Sequence, residues 1–169
     1  MNKLAAAIYI TSMGIPFIHA GEEFLRIKED EHGKIIENSY NSSDFVNKIR
    51  WNCLEEKIHA DTAEYYKGLI KFRKTHSALH ISAAEEVISN VKYWKIGDGV
   101  VLFIIEGEKE LVVIFNASED NQMISLKEYD IKDGNWEICV NGECADMKEK
   151  VTDQCVNVVP ISAMILVKG

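Results

Sequence analysis

The sequence has no long hydrophobic run and no surplus of basic residues, and both absences limit what it can bind. No apolar stretch reaches the roughly 18–20 residues that a helix needs to cross a bilayer, so we predict no membrane span. The 27 acidic residues outnumber the 19 basic ones, which gives a formal net charge of -8. Nucleic acids and anionic membranes select for clusters of lysine and arginine. We therefore expect neither as a partner.

The cysteines form no complete metal-binding or disulfide pattern. There are four of them, and Cys139 and Cys144 lie close together in "CVNGEC", which fits a hairpin disulfide or half of a metal site. No second pair and no nearby histidine completes the spacing of a zinc site. We predict free thiols, no metal, no cofactor and a reducing, cytoplasmic location. The alanine-rich N-terminus, with Lys3 as its one charge, lacks the features of a secretory signal.

The first residues predict a helix followed by a buried strand. Leu4, Ala5 and Ile8 share one face at helical spacing over residues 1–12. Gly14 ends this helix and Pro16 favours extended backbone. Residues 15–20, "IPFIHA", then form a short apolar run with little alternation, which is typical of a strand covered on both faces in a parallel sheet.

A long polar loop and a second helix follow. The loop spans residues 21–44 and exceeds the usual length of structureless connections, which favours a functional role. The "DFVNKI" stretch after it predicts a short helical turn that Ser43 and Asp44 can cap. The spacing of apolar residues predicts a helix over 61–75, with Asp61 as its cap.

The second half changes to short β-rich runs separated by turn residues. A Gly-Asp-Gly turn joins "VKYWKI" to "VVLFIIEG", which predicts a hairpin. Five more runs follow, namely "LVVIFNA", "MISLK", "NWEICVN", "CVNVV" and "AMILVKG". About seven short strands with turns between them are typical of an antiparallel sandwich. The fold class is therefore α+β, with one segment over 1–85 and a β-sandwich over 86–169.

The predicted strand over 15–20 has no partner in this sequence. One parallel strand leaves its backbone donors and acceptors unpaired, and the later strands belong to an antiparallel unit. We infer that residues 1–80 are the last piece of a larger α/β domain whose other strands lie upstream.

Three stretches of the sequence carry a specific resemblance. They are "MNKLAAAIYITSMGIPFIHAGEEFLR", "NSYNSSDFVNKIRW" and "YYKGLIKFRKTHSAL". Together they resemble the C-terminal part of type I pullulanases, which are glycoside hydrolases of the α-amylase superfamily. The closing "VVPISAMILVKG" resembles the last strand of that family's β domain. The resemblance implies a partial (β/α)8 barrel, with 15–20 as its eighth strand and 61–75 as its eighth helix, followed by the sandwich.

The resemblance also implies a reaction and a binding loop. The reaction is hydrolysis of α-1,6-glucosidic linkages in pullulan, amylopectin, glycogen or limit dextrins, with two carboxylates and retention. Those carboxylates belong to earlier barrel strands, so no catalytic residue is predicted here. Asn38, Tyr40 and Asn41 match the segment that lines the family's cleft, and Asp44 lies close by. The side chains of all four residues suit an α-glucan. The alternative is that they only turn the loop and cap a helix.

Two functional hypotheses follow. In the first, the chain is an inactive C-terminal fragment of a pullulanase-type debranching enzyme whose N-terminal barrel segment is missing. In the second, it is a non-catalytic module that binds α-glucan or has a structural role. An incomplete barrel exposes apolar surface, so we also expect self-association through residues 4–18.

Overall fold

The computed structural model describes all 169 residues. It contains four α-helices: α1 (Asn2–Thr11), α2 (Asp44–Asn47), α3 (Lys57–Thr75) and α4 (Ala84–Asn90). It also contains eight strands: β1 (Val91–Gly97), β2 (Val100–Ile105), β3 (Leu111–Asn116), β4 (Gln122–Ser125), β5 (Trp136–Val140), β6 (Ala145–Lys150), β7 (Cys155–Val158) and β8 (Ser162–Lys168). Short 3₁₀ turns lie between several of these elements. None of the helices has the length and hydrophobicity that crossing a bilayer requires.

The strands form two antiparallel sheets. Six of them pair in the order β1-β2-β3-β8-β5-β6, and β4 pairs with β7 in a separate sheet of two strands. The predicted hairpin is present, because β1 pairs with β2. The antiparallel prediction is therefore confirmed. The sequence patterns missed β6, a polar strand at the edge of the larger sheet that pairs with β5.

The central strands of the larger sheet are buried on both faces. Every residue of β3 is buried. Leu111, Val113 and Phe115 face a core cluster that includes residues of α1 and α3. Val112 and Ile114 face a second cluster, which contains Val156 of the two-stranded sheet. Because side chains alternate between the two faces of a strand, β3 contributes to both cores.

The chain divides into two compact units. One comprises residues 1–16 and 64–169, and the other comprises residues 17–63. In the first unit, α1 and the later part of α3 share a core with the sheet. The predicted division into 1–85 and 86–169 refers to the organisation of a longer protein and stays a prediction.

The predicted strand over 15–20 does not form in this chain. Residues 15–19 have no regular structure, and the side chains of Ile15 and Phe17 are 97% and 88% exposed. The prediction of a buried strand here is therefore wrong for the isolated chain. The physical reason is that a strand needs neighbouring backbone to pair with, and no other segment supplies it.

Helix α3 begins earlier than its sequence signals indicate. It starts at Lys57 rather than at Asp61. Asp61 is not the cap; its carboxylate pairs with Lys57 one turn earlier. The i, i+4 spacing places these two side chains side by side on the helix surface.

Candidate functional site

The candidate site is a tight turn in the unit formed by residues 17–63. The backbone N–H of Ser42 donates a hydrogen bond to the carbonyl of Ser39 at 3.0 Å, which closes the turn around Tyr40 and Asn41. Ser39 is buried, and its hydroxyl accepts a hydrogen bond of 2.8 Å from Lys28 Nζ. The turn is therefore anchored at its buried residue Ser39, while its two central residues, Tyr40 and Asn41, face solvent.

The side chain of Asn47, at the end of α2, bonds to the backbone at both ends of the turn. Its amide Nδ2 donates to the carbonyl of Ser39 at 2.8 Å and to that of Ser42 at 3.1 Å. The carbonyl of Asn47 in turn accepts a hydrogen bond from the guanidinium of Arg26. Arg26 also donates to the carbonyl of Ala20 at 3.0 Å. These bonds link both ends of the turn to α2 and to the start of the loop.

The four residues predicted to bind substrate lie on or beside this turn, and all four are exposed. The ring of Tyr40 is 88% accessible. The side chains of Asn38, Tyr40, Asn41 and Asp44 form no hydrogen bond or ion pair within the chain. The structure therefore presents an aromatic ring, two amides and a carboxylate on a short stretch of anchored backbone.

These groups suit a carbohydrate. A tyrosine ring can pack against the apolar face of a pyranose while its hydroxyl stays in water. Amide and carboxylate groups can accept and donate hydrogen bonds with sugar hydroxyls. The turn therefore offers an aromatic face and hydrogen-bonding groups of the kinds that bind sugars.

Glu22 and Glu23, the two adjacent carboxylates after the apolar segment, have structural partners. The carboxylate of Glu22 accepts a hydrogen bond from the backbone N–H of His19 at 3.1 Å. The carboxylate of Glu23 accepts one from the N–H of Gly21 at 2.8 Å. Both groups thus stabilise the short 3₁₀ turn at Glu22–Phe24.

Aromatic packing supports the same unit. The ring of Phe24 lies 5.4 Å from that of Trp51. The ring of Phe45 has Lys48 Nζ at 4.6 Å and the guanidinium of Arg50 at 5.2 Å, distances at which cations are attracted to the ring face.

Sequence reasoning missed the part that Asn47 and Arg26 play in holding the turn. Arg26 follows two glutamates in "GEEFLR", a pattern that favours a local ion pair, but its guanidinium donates to the carbonyls of Ala20 and Asn47. Side chains that bind distant backbone carbonyls leave no periodic signal in a sequence. The one available signal was the type of residue at position 47, since asparagine side chains often bond to nearby backbone groups.

The chain was compared with known proteins. No model of a protein family matches it. It is 32% identical over 129 residues to the pullulanase of Bacillus subtilis, an alignment that covers 71% of this chain and 17% of the relative.

Solved structures of pullulanases also resemble this chain. A pullulanase from Anoxybacillus sp. LM18-11, crystallised with maltotetraose, matches 99% of this chain and 23% of its own with a TM-score of 0.81 and 29% identity. The pullulanase from Bacillus acidopullulyticus matches 99% of this chain and 20% of its own with a TM-score of 0.83 and 27% identity.

The chain thus spans 17% of the length of the curated relative and 20–23% of the two solved pullulanases. Its antiparallel sheets and the helices packed on them occur in proteins several times longer. Taken together, the sequence and structural matches show that this chain belongs with the pullulanases, as a C-terminal part of that family of debranching glycoside hydrolases.

Proposed function

We propose that this chain is the C-terminal part of a longer enzyme that hydrolyses α-1,6-glucosidic linkages in pullulan, amylopectin, glycogen or limit dextrins. The kinship with pullulanases supports this proposal, as does the small share of each relative that the chain spans. The cleavage itself belongs to the missing N-terminal barrel segment. In this proposal, α1, residues 15–20 and α3 are the last pieces of a (β/α)8 barrel.

The exposed apolar segment after α1 supports the barrel assignment. Ile15 and Phe17 are side chains that strands bury, yet they lie in solvent here. In such a barrel each parallel strand is followed by a helix, so every inner strand has a helix before it and a helix after it along the chain. Neighbouring barrel strands would supply the backbone partners that this segment lacks.

Within the enzyme, the role of this chain is to bind glucan. The observation that carries this proposal is the ring of Tyr40, which is exposed at the tip of a turn anchored by Ser39 and Asn47. A rigid turn loses little conformational entropy when a ligand binds. Asn38, Asn41 and Asp44 are close enough in sequence to reach hydroxyls of the same sugar chain.

The isolated chain is catalytically inactive in this proposal. A retaining glycosidase needs two carboxyl groups about 5 Å apart that flank the scissile bond. Glu22 and Glu23 are adjacent, and their carboxylates already accept backbone hydrogen bonds. Release of reducing sugar from pullulan by the purified chain would overturn this part of the proposal.

Glucan binding can be tested by nuclear magnetic resonance titration with maltotetraose. We expect weak binding, with a Kd of about 1 mM, and shifts confined to residues 38–44. Tyr40→Ala should abolish the shifts, and Tyr40→Phe should preserve them. Tyr93→Ala is the matched control, because Tyr93 is also exposed but lies on β1. If Tyr40→Ala binds like the unaltered chain, the turn is not the site.

A structural role is the second candidate. It is favoured if neither the unaltered chain nor Tyr40→Ala shows any shift with maltotetraose. The gene upstream of the codon for Met1 tests the parent assignment independently, because an open reading frame there should encode the other barrel strands.

We propose a cytoplasmic location for the same protein. Its support is that all four cysteines are free, a state that reducing compartments maintain. Cell fractionation with an antibody to the chain tests this proposal, and recovery from the culture medium would contradict it.

A further inference from the structure

The loop between β5 and β6 contains the only Asn-Gly pair in the sequence, at Asn141 and Gly142. The loop is closed, because the N–H of Asn141 donates a hydrogen bond of 2.9 Å to the carbonyl of Cys144. In such a pair the backbone nitrogen of the glycine can attack the side-chain amide of the asparagine, since glycine has no Cβ atom that hinders a close approach. The pair is therefore a candidate for a covalent change that needs no enzyme.

Two backbone N–H groups hold the side-chain amide oxygen of Asn141. The N–H of Glu143 donates to Oδ1 at 2.9 Å, and that of Cys144 donates to it at 2.8 Å. Attack at Cγ gives this oxygen a negative charge, and donors that are already in place stabilise such a charge as it develops. The loop thus forms an oxyanion hole around the side chain of one of its own residues.

The two nitrogens that take part in the attack donate no hydrogen bond within the chain. These are the backbone nitrogen of Gly142, which is the nucleophile, and Nδ2 of Asn141, which departs as ammonia. Asn116 is the opposite case. Its Nδ2 donates to three backbone carbonyls, and the N–H of the next residue, Ala117, donates to the carbonyl of Gly99 at 2.7 Å. The structure therefore leaves Asn141 free to react and holds Asn116 in place.

We propose that Asn141 is a site of spontaneous deamidation in the folded chain and that the loop directs the product toward aspartate. In the first step the nitrogen of Gly142 attacks Cγ of Asn141, its proton passes to the amide nitrogen, and ammonia leaves, which closes a succinimide ring. In the second step water adds to Cγ, and the bond from Cγ to the nitrogen of Gly142 breaks as that nitrogen regains a proton. The net change consumes water and releases ammonia, without oxidation or reduction.

The same two donors set the product. Water can also open the ring at the backbone carbonyl carbon of residue 141, which leaves isoaspartate with an extra methylene group in the backbone. The N–H groups of Glu143 and Cys144 favour the opening at Cγ, because they stabilise the negative charge at Oδ1. The carboxylate that results keeps both hydrogen bonds and strengthens them with its charge.

Close packing of the loop favours aspartate as well. A Cβ atom at Gly142 would lie 2.8 Å from Cγ2 of Val159 and 3.0 Å from Cβ of Ser162. The carbonyl of Glu143 accepts a hydrogen bond of 2.9 Å from Lys3 Nζ, which ties the loop to α1. A longer backbone would disturb these contacts, whereas aspartate leaves the backbone length unchanged. The proposal does not depend on glucan binding.

Incubation of the purified chain at mildly alkaline pH, followed by mass spectrometry of its peptides, tests the reaction. We expect Asn141 to convert at least about tenfold faster than Asn41, which is exposed but precedes a serine. Asn116 should convert more slowly still. Asn141→Gln should stop the conversion at this position, because the longer side chain would have to close a larger ring.

Labelling with an isoaspartate-specific methyltransferase, together with chromatography of the peptides, measures the two products. The folded chain should give mainly aspartate, whereas the same chain unfolded in urea has no fixed donors and should give more isoaspartate. The proposal is overturned if Asn141 converts no faster than Asn41, or if folded and unfolded chains give the same proportion of products. Rapid hydrogen exchange at the amides of Glu143 and Cys144 in the folded chain would also overturn it, because the donors would then not be held.

Discussion

The guanidinium of Arg73, on α3, donates a hydrogen bond of 2.7 Å to the backbone carbonyl of Ile10, at the end of α1. Arg73 also donates to the carbonyls of Ser12 at 2.7 Å and Gly14 at 2.6 Å. The last carbonyls of a helix have no partner within the helix. One buried side chain therefore completes the hydrogen bonding at the end of α1 and fixes the path of the backbone that leads to Ile15.

Replacing Arg73 should destabilise the first unit. Arg73→Met removes three charge-assisted hydrogen bonds, and we expect the free energy of unfolding to fall by about 3 kcal/mol. Arg73→Lys should cost about half as much, because a lysine keeps the charge without the planar fork of donors. Urea unfolding followed by circular dichroism measures both values. Lys74→Met, at the exposed neighbouring position, should change little; equal effects at 73 and 74 would contradict this role.

Gly68 permits the close approach of α3 to β6. A Cβ atom at this position would lie 2.6 Å from the carbonyl oxygen of Ala145. In an unobstructed helix, replacing glycine with alanine stabilises by about 1 kcal/mol. Here we expect Gly68→Ala to lower the free energy of unfolding by about 1–3 kcal/mol, because the added methyl group would overpack the contact between α3 and β6. Thermal unfolding shows the sign directly, and an increase in Tm would refute the prediction.

Lys67→Ala is the control for Gly68→Ala. Lys67 lies on the exposed side of the same helix and pairs with Glu64. An exposed ion pair contributes little, so we expect a change within about 0.5 kcal/mol.

The cysteines should differ in their reactivity. Burial raises the pKa of the Cys139 thiol, and its side chain lies in the core, whereas Cys144 and Cys155 are exposed. A raised pKa leaves less thiolate at a given pH, so Cys139 should react with iodoacetamide roughly tenfold more slowly than either exposed cysteine. Mass spectrometry of peptides from a time course at mildly alkaline pH gives the three rates. Equal rates in the folded chain would count against this arrangement.

At the proposed glucan site, Asn47 should affect the binding of maltotetraose without touching the sugar. Asn47→Ala removes both hydrogen bonds from its amide to the turn, and we expect the Kd for maltotetraose to rise by about threefold to tenfold through lost rigidity. The amide of Ser42 should also exchange faster with solvent, because its turn is loosened. Asn52→Ala, at an exposed asparagine nearby in the sequence, is the control. Unchanged exchange at Ser42 would show that Asn47 does not hold the turn.

Local patterns predicted much of the fold. The alternation and turn residues after Val91 located the hairpin and most of the strands, since both signals depend on neighbouring residues alone. The polar edge strand β6 was missed, because a strand with little buried surface carries no hydrophobic alternation. The short helix α4 was missed for a related reason: none of its residues is buried.

The sequence by itself determined the helix α1, the antiparallel strands and the kinship with pullulanases, because these depend on residue order and local periodicity. Tertiary structure decided the rest. It left residues 15–20 without a sheet, because backbone pairing requires a partner strand that this chain does not supply. It also fixed the turn at Tyr40, through the hydrogen bonds of Asn47, and the end of α1, through those of Arg73. No sequence pattern connects these side chains to the carbonyls that they bind.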